Sequence, residues 1–341
     1  MSYAIPTQPR AVRYHATGKP EEVLHFEALP FTSPCADDEV VVLLEMAVVH
    51  PSDLGMVGGT YGRLRTLPAV AGREGTGRVA FAGAAVTTLK PGDRVRMPED
   101  EGVWREAVIA KASALRSVPT DIPAEQACMA FINPPTALLV LQEFVALQPG
   151  DWIIQNAANS AVGECVIQLA RAHGLHTVNL VRSSEKHARH LKALGADLVL
   201  ADDKDALKAL AGALQRQAPR LALNSVGGPS AITLTRALGD NGVLVTFGGM
   251  TSEAIRFPTR EFIFKNITYR GFWMDRWART AKAEALQGVL ETVFARLRDG
   301  SLHMAVDSVY PLEDFAAALA RAGAYGRSGK VLLRGPGAVH T

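Results

Sequence analysis

Residues 151–174, DWIIQNAANSAVGECVIQLARAHG, carry the clearest indication of fold in this 341-residue chain. The stretch begins as an apolar run that fits a buried β-strand, turns through small residues and continues as an amphipathic helix. A strand, a tight turn and a helix in this order can bind a pyrophosphate on the amides at the helix N-terminus. Gly163 keeps one glycine of that motif, whereas Ser160 and Ala161 occupy earlier glycine positions. An ordinary strand–turn–helix unit therefore remains the alternative.

A polar cluster follows the next strand. Arg182 stands 19 residues after Gly163 and is followed by Ser183 and Ser184. An acidic residue at this position binds the ribose diol of NAD, whereas an arginine with two hydroxyls fits a 2′-phosphate. The cluster favours NADPH over NADH, and a solvated arginine at a strand end is the alternative.

After about residue 123, short apolar runs alternate with helical stretches, which is typical of βαβ units. The predicted strands are DWIIQNA, HTVNLVR, DLVLA, LALNSV, GVLVTFG and TYRGFW. The predicted helices are GECVIQLARAH, SEKHARHLKAL, DALKALAGALQRQ and PSAITLTRAL. This number of strands and crossovers predicts a doubly wound parallel sheet of the Rossmann type.

Residues 39–110 have a different pattern, because their β runs are short and broken by turn signals. These runs are EVVVLLEMAVVH, TGRVAFAG, DRVRM and VWREAVIA. Near the chain end, FAAALARAGAY predicts a helix and GKVLLR a strand that rejoins this region. We therefore predict an α/β protein with a β-rich domain at residues 1–122 and 306–341 and a dinucleotide-binding domain at residues 123–305.

Composition argues against several classes of protein. Lys and Arg number 36 against 34 Asp and Glu, and a formal net charge of +2 does not favour nucleic acid or a membrane surface as a partner. No apolar run approaches the roughly 20 residues of a transmembrane helix. The three cysteines are too few and too widely spaced for a disulfide framework or a cysteine-rich zinc lobe. A cytoplasmic protein with reduced thiols is expected.

The beginning of the chain allows two interpretations. Three basic residues, Arg10, Arg13 and Lys19, precede the first acid, Glu21, which is a feature of transit peptides. The same stretch lacks an apolar segment and fits a first β-strand at residues 11–15. We prefer the strand.

Five motifs, in order and at wide separation, resemble those of the medium-chain dehydrogenase/reductase superfamily. They are NPPTALLVL, LQPGDWIIQNAANSAVG, NLVRSS, FGGM and IFKNITYRGFWMDRW. Within the superfamily the chain most resembles the zinc-independent 2-enoyl thioester reductases, the trans-2-enoyl-CoA or acyl-carrier-protein reductases of the mitochondrial type, from about residue 11 to 333. The resemblance implies a GroES-like catalytic domain beside the Rossmann domain, with NADPH as the cofactor.

The resemblance also implies the cofactor contacts. Asn133 would contact the nicotinamide end, and Lys330 would reach the cofactor from the last strand. The pyrophosphate would be covered by Asn159, Ser160, Ala161 and Val162, and the 2′-phosphate held by Arg182, Ser183 and Ser184. The nicotinamide and the acyl tunnel would be flanked by Phe247, Gly248, Gly249, Met250, Phe272, Trp273 and Met274.

Tyr61, in VGGTYG, stands where this family has its catalytic tyrosine. A tyrosine hydroxyl stays protonated at neutral pH and can donate a hydrogen bond to an enolate oxygen. We assign Tyr61 and Trp273 to the catalytic site. The alternatives are a loop tyrosine packed against a rim and an aromatic residue buried in a sheet-end cluster.

No metal is expected in this site. Zinc-dependent relatives have ligands at the positions of His50, Arg73 and Asn133, and one ligand out of three cannot close a zinc site. His50 and Arg73 also replace the asparagines that mitochondrial-type reductases usually have, which predicts a bulkier and more basic pocket. Arg73 either faces the pocket, where it would attract an anionic group, or pairs with Glu74 or another acid.

Together these features predict an NADPH-dependent reductase of an activated carbon–carbon double bond, preferably that of a trans-2-enoyl thioester of CoA or acyl carrier protein. A quinone or enone reductase on the same fold and an NADPH-binding protein without turnover are the alternatives. The resemblance further implies a homodimer joined through edge strands of the Rossmann sheets, for which VLVTFG and ITYRGFW are candidates.

Overall fold

The structure is a computed structural model that describes residues 3–31, 35–214, 217–251 and 253–338. It forms two compact units, one extending to Phe131 and resuming at Met304, the other comprising Ile132–His303. The boundaries expected from the sequence lie at residues 122 and 305. Residues near both boundaries are bonded within the first unit, because the Gln126 amide exchanges two hydrogen bonds of 2.9 Å with the backbone of Met304.

Most strand pairs of the first unit are antiparallel. Its strands are β1 (Arg10–Tyr14), β2 (His25–Ala28), β3 (Glu39–Val48), β4 (Ala69–Val70), β5 (Gly75–Ala82), β6 (Arg94–Arg96), β7 (Ala107–Lys111), β14 (Val306–Pro311) and β15 (Lys330–Arg334). Its helices are α1 (Pro20–Val23), α2 (Pro51–Val57), α3 (Ala124–Ala127) and α12 (Phe315–Gly323). The strand preferred for the beginning of the chain is present as β1.

Strand β3 is the centre of the first unit. Its sequence EVVVLLEMAV lacks polar alternation, and every residue after the first is buried. It pairs antiparallel with β5, β7 and β15, which confirms that the last predicted strand rejoins this region. A smaller sheet has the order β2-β1-β4.

The second unit alternates strands and helices. Its strands are β8 (Trp152–Gln155), β9 (His176–Val181), β10 (Leu198–Ala201), β11 (Leu221–Asn224), β12 (Val243–Thr246) and β13 (Thr268–Gly271). Its helices are α4 (Asn133–Gln142), α5 (Ala161–Ala172), α6 (Ser184–Leu194), α7 (Ala206–Ala213), α8 (Ser230–Ala237), α9 (Thr259–Phe264), α10 (Met274–Thr280) and α11 (Ala283–Arg298). The helix predicted over residues 205–217 includes Gln215 and Arg216, which lie outside the described residues.

The six strands of the second unit form one parallel sheet in the order β10-β9-β8-β11-β12-β13. Numbered from its own first strand, this is the order 3-2-1-4-5-6 of a Rossmann sheet, so the predicted fold class is confirmed. All six predicted strands and four predicted helices are present, whereas α4, α9, α10 and α11 were not predicted. Because parallel strands end at the same edge, the loops after them share one side of the sheet.

No helix among the described residues is long and apolar enough to cross a membrane.

Candidate active site

The turn between β8 and α5 is tightly packed and ends at the N-terminus of a helix. The Ser160 hydroxyl accepts a hydrogen bond of 3.2 Å from the amide of Gly163 and so caps α5. A Cβ on Gly163 would lie 2.6 Å from the carbonyl oxygen of Ala158, so only glycine fits there. The amides of the first turn of a helix lack acceptors within the helix, and they attract anions. Asn159, Ser160, Ala161 and Val162, predicted for the pyrophosphate, all lie in this turn.

The residues predicted to hold the 2′-phosphate lie beside this turn. Arg182 follows β9 and is exposed, Ser183 precedes the first turn of α6 and Ser184 begins it. His187, one turn further, is 3.4 Å from the Asn159 amide nitrogen through its Nε2. Sequence reasoning did not find His187, because its contact with the turn depends on how β8 and β9 pair.

His187 lies in a positively charged environment. Partial burial, together with the nearby Lys186, His190 and Arg182, lowers the pKa of His187 below its ordinary value. A doubly charged phosphate bound here would relieve the repulsion between these groups.

A polar network that sequence reasoning missed connects the other strand ends. The Asn156 amide nitrogen donates to the Asn224 side-chain oxygen at 2.8 Å and to the Ser230 hydroxyl at 2.9 Å. Ser230 in turn donates to Asp202 at 2.5 Å, and burial raises the pKa of Asp202. The network ties together the ends of β8, β10 and β11, because a polar side chain at or directly after the end of each strand takes part.

The residues predicted to lie around the nicotinamide follow β12 and β13, the last two strands in the order of the parallel sheet. The amide of Phe247 donates to Asn224, and that of Phe272 donates to Thr246. Gly248 passes close to Ser225, since a Cβ there would lie 3.1 Å from the Ser225 carbonyl oxygen. The remaining predicted residues are Gly249 and Met250, which are exposed, Trp273, half-buried before α10, and Met274, buried at its start.

Asn133 begins α4 and its side chain is buried. Its amide nitrogen makes no hydrogen bond to any described residue. A buried donor without an acceptor costs roughly 1–3 kcal/mol, which a ligand oxygen would recover. Together with the amides at the start of α5 and with Arg182, this amide fits the nicotinamide dinucleotide implied by the fold.

In the first unit, Tyr61 is held by Arg73. Nη1 of Arg73 donates to the Tyr61 hydroxyl oxygen at 2.7 Å, and the guanidinium carbon lies 4.9 Å from the centre of the ring. Arg73 is buried and also donates to Oε1 of Glu99, from Nε at 3.0 Å and from Nη2 at 2.6 Å. Of the two orientations considered for Arg73, the structure shows pairing with an acid, and the acid is Glu99. Burial acts to lower the pKa of Arg73, but Glu99 and Tyr61 raise it overall, so the side chain stays charged.

His50 lies in a second buried network. Nζ of Lys330 is 3.1 Å from Nδ1 of His50, and Nε2 of His50 is 2.6 Å from Glu74. An ammonium group only donates, so Nδ1 accepts and Nε2 carries the hydrogen that is donated to Glu74. Burial, Lys330 and Arg73 hold the pKa of His50 well below its ordinary value. Lys330 lies at the start of the last strand, as predicted, but sequence reasoning missed its contact with His50.

Metal ligands are scarce in the described parts of the chain, where no three His, Cys, Asp or Glu side chains are grouped so that they could hold an ion. The neighbours of His50 are an ammonium and a carboxylate that it already binds. A metal-free site stays a prediction.

Comparison with known proteins gives the family. The model of the alcohol dehydrogenase GroES-like domain matches residues 36–120, and that of the zinc-binding dehydrogenase matches residues 161–291. The mitochondrial enoyl-[acyl-carrier-protein] reductase of Dictyostelium discoideum is 39% identical over 332 residues, which cover 95% of this chain and 94% of that protein. The chain belongs to the medium-chain enoyl thioester reductases. The resemblance stated from the sequence motifs is thereby confirmed.

Solved structures of two kinds of enzyme are similar to this reductase. The mitochondrial 2-enoyl thioester reductase heterodimer from Candida tropicalis, Etr1p/Etr2p, is 26% identical with a TM-score of 0.89, covering 96% of this chain and 100% of that one. Etr1p has also been solved with NADP and crotonyl-CoA, at the same TM-score and identity. A putative NADPH:quinone reductase from Bacillus thuringiensis is 27% identical with a TM-score of 0.87, covering 96% of this chain and 99% of that one.

The expectation of a cytoplasmic protein is wrong. Curated relatives that are 36–39% identical to this chain, from Dictyostelium, rat, human and Arabidopsis, are all named mitochondrial. Net charge, reduced cysteines and the lack of a long apolar run are shared by proteins of both compartments, so they could not decide the location.

Proposed function

We propose that this reductase uses NADPH to reduce the double bond of a trans-2-enoyl thioester, with Tyr61 as the donor to the thioester oxygen. Membership in the enoyl thioester reductases confirms the expected reaction class and cofactor. The observation that supports Tyr61 is its hydroxyl, which is held at 2.7 Å by a buried and charged Arg73. A tyrosine that only packed against a rim would not require such an anchor.

Residues of the second unit would hold the cofactor. When bound, NADPH supplies the hydride that adds to the β-carbon of the substrate. The amides at the start of α5, with Asn159, would bind the pyrophosphate, and Arg182, Ser183 and Ser184 the 2′-phosphate. The Asn133 amide would donate to the nicotinamide end.

Tyr61 would stabilise the charge that grows on the thioester oxygen as the β-carbon is reduced. A single well-placed hydrogen-bond donor of this kind contributes roughly 10²- to 10³-fold to kcat. The aromatic residues Phe247, Phe272 and Trp273 follow neighbouring strand ends and would shape the nicotinamide and acyl site. The edge-to-face contact between Phe272 and Phe144, with ring centres 6.0 Å apart, supports a fixed position for the first of these rings.

The proposal also covers the carrier of the acyl group, which is either CoA or acyl carrier protein. The curated relatives are named for acyl carrier protein, and crotonyl-CoA was solved with Etr1p. We propose that the acyl thioester is the part recognised by Tyr61, and that either carrier can present it.

We also propose a homodimer joined at β13, the edge strand of the parallel sheet. Helix α9, which leads into β13, exposes 60% of Ile263 and 77% of Phe264. Large apolar side chains exposed next to an unpaired strand edge favour association with another copy. The Candida relative was solved as an Etr1p/Etr2p heterodimer.

The deciding experiment follows NADPH oxidation with crotonyl-CoA, a short enoyl-acyl carrier protein and a small quinone, each repeated with NADH. Turnover of the thioesters with NADPH, and much slower turnover with NADH, is the expected result. Turnover of the quinone alone would instead favour a quinone reductase. The similarity to the Bacillus enzyme is the reason for including this substrate. Tight NADPH binding without turnover of any substrate would indicate an NADPH-binding protein that is not a catalyst.

A further inference from the structure

Three chain segments of the first unit are joined around Tyr61 by two arginines, the half-buried Arg65 and the buried Arg73. Arg65, four residues after Tyr61, donates to the carbonyl oxygens of Val70 at 2.7 Å, Gly72 at 2.8 Å and Glu99 at 2.6 Å. It therefore holds the loop of Tyr61 against the segment before Arg73 and the segment that carries Glu99. The backbone around the tyrosine is fixed independently of its side chain.

Arg73 fixes the side chain. Its Nη1 reaches the Tyr61 oxygen, while Nε and Nη2 both reach Oε1 of Glu99. A guanidinium is planar, so two bonds to one carboxylate set the direction of the third nitrogen. Glu99 is itself held through its other oxygen by Arg96, at 2.8 Å.

The direction of the Arg73–Tyr61 bond determines where the tyrosine can donate. Arg73 has no acceptor, so the Tyr61 oxygen is the acceptor in this bond. The hydroxyl hydrogen is consequently turned away from the guanidinium. A neutral asparagine in place of Arg73 could donate or accept and would not impose this direction.

We propose that Arg73, supported by Glu99, is a positioning residue that orients the Tyr61 hydroxyl for donation to the thioester oxygen. This inference rests on the proposed function. The effect is one of orientation, because two hydrogen bonds to Glu99 fix the plane of the Arg73 guanidinium. Orientation matters in catalysis, since a displacement of about 1 Å can lower a rate by roughly 100-fold.

The test is a double-mutant cycle on kcat for crotonyl-CoA, using Arg73→Gln, Tyr61→Phe and the double variant. Arg73→Gln alone should lower kcat by about 10- to 100-fold and change KM by less than about threefold. On the Tyr61→Phe background the same substitution should change kcat by less than about twofold, because the group it orients is already gone. Arg73→Gln lowering kcat equally on both backgrounds would mean a purely structural role and would overturn the proposal.

Arg321→Gln is the matched control. It removes an arginine of the first unit that donates to both oxygens of Asp307, at 2.6 and 2.7 Å, and lies in α12, outside the network of Tyr61, Arg73 and Glu99. The substitution should leave kcat within about twofold of the wild type, because it removes a similar ion pair without altering the orientation of Tyr61. A loss as large as that of Arg73→Gln would count against the proposal. The melting temperature and the Kd for NADPH are recorded for all variants to exclude unfolding.

A second measurement does not depend on turnover. The chain has six tyrosines, and labelling with 3-fluorotyrosine gives a ¹⁹F NMR signal for each. The Tyr61 signal is the one missing from Tyr61→Phe, and Arg73→Gln should shift it while the others stay in place. An unshifted signal would show that Arg73 does not hold Tyr61. If the wild type reduces no enoyl thioester, the proposed function fails and the positioning role with it, whereas the ¹⁹F result still reports on the contact.

Discussion

Nζ of Lys330 lies 3.1 Å from Nδ1 of His50, although 280 residues separate them along the chain. Strands β3 and β15 pair directly, which brings the last strand of the chain to the position just after β3 where His50 stands. The ammonium group donates to the imidazole, and the imidazole donates to Glu74 at 2.6 Å. His50 is therefore neutral in the folded protein, where a zinc-dependent relative would have a metal ligand.

This neutral histidine predicts a loss of stability in acid. The pKa of His50 lies well below its ordinary value in the folded state, whereas the unfolded chain titrates near about 6.5. Below about pH 6.5 the unfolded state therefore binds a proton that the folded state does not, and the free energy of unfolding falls by up to about 1.4 kcal/mol per pH unit until the folded pKa is reached. Urea unfolding at pH 7.5, 6.5 and 5.5 measures the slope.

The substitution His50→Asn should make that slope less steep, because asparagine does not titrate. His25→Asn, at an exposed position of β2, is the control and should keep the slope of the wild type. Equal slopes in all three proteins would show that His50 is not the group responsible.

Tyr61→Phe should lower kcat for crotonyl-CoA by roughly 10²- to 10³-fold, because it removes the one hydroxyl proposed to face the thioester oxygen. The Kd for NADPH, measured by nicotinamide fluorescence, should stay within about twofold, since Tyr61 belongs to the first unit and the proposed cofactor residues other than Lys330 to the second. An unchanged kcat would remove Tyr61 from the mechanism.

Arg182→Ala should weaken NADPH binding far more than NADH binding. Loss of a hydrogen bond between charged groups costs about 1.5–3 kcal/mol, or roughly 10- to 150-fold in Kd. Arg189→Ala, an exposed arginine further along α6, is the matched control and should alter neither Kd. Fluorescence titrations with both cofactors measure the ratio, and an equal loss for NADPH and NADH would refute the assignment to the 2′-phosphate.

Gly163→Ala should disrupt the turn between β8 and α5, which we propose binds the pyrophosphate. Its Cβ would lie 2.6 Å from the carbonyl oxygen of Ala158, so α5 must move away from the turn at a cost of about 1–3 kcal/mol. Gly288→Ala is the control, because that glycine is exposed in α11 with nothing within 4 Å, and alanine should stabilise the helix by up to about 1 kcal/mol. Thermal unfolding and NADPH titration of both variants test the contrast, which a stable and tightly binding Gly163→Ala protein would contradict.

Phe264→Glu should produce monomers, because it places a charge in the apolar surface proposed to join two copies at β13. Tyr325→Glu changes a side chain that is also 77% exposed but lies in the first unit, and should leave the oligomeric state unchanged. Sedimentation velocity measures the mass directly. A wild-type protein that sediments as a monomer would rule out the dimer.

The sequence predicted the Rossmann sheet well because its signals are local. Each strand is a short apolar run and each predicted helix has its own amphipathic period, so HTVNLVR and SEKHARHLKAL indicate their elements without reference to the rest of the chain. Helix α11 has a similar pattern, with buried Leu290, Val293, Phe294 and Leu297, and could have been found in the same way. The family motifs then added the prediction of a reductase function to that of the Rossmann sheet.

Periodicity and motifs of neighbouring residues were enough to predict the fold class, the family and the residue types at the strand ends. The folded structure was needed to show that Arg73 pairs with Glu99 and holds Tyr61, that Lys330 contacts His50, and that His187 reaches the turn between β8 and α5. Each of these contacts joins residues far apart in the chain, and a side chain's partner depends on strand pairing and loop position that no local pattern specifies.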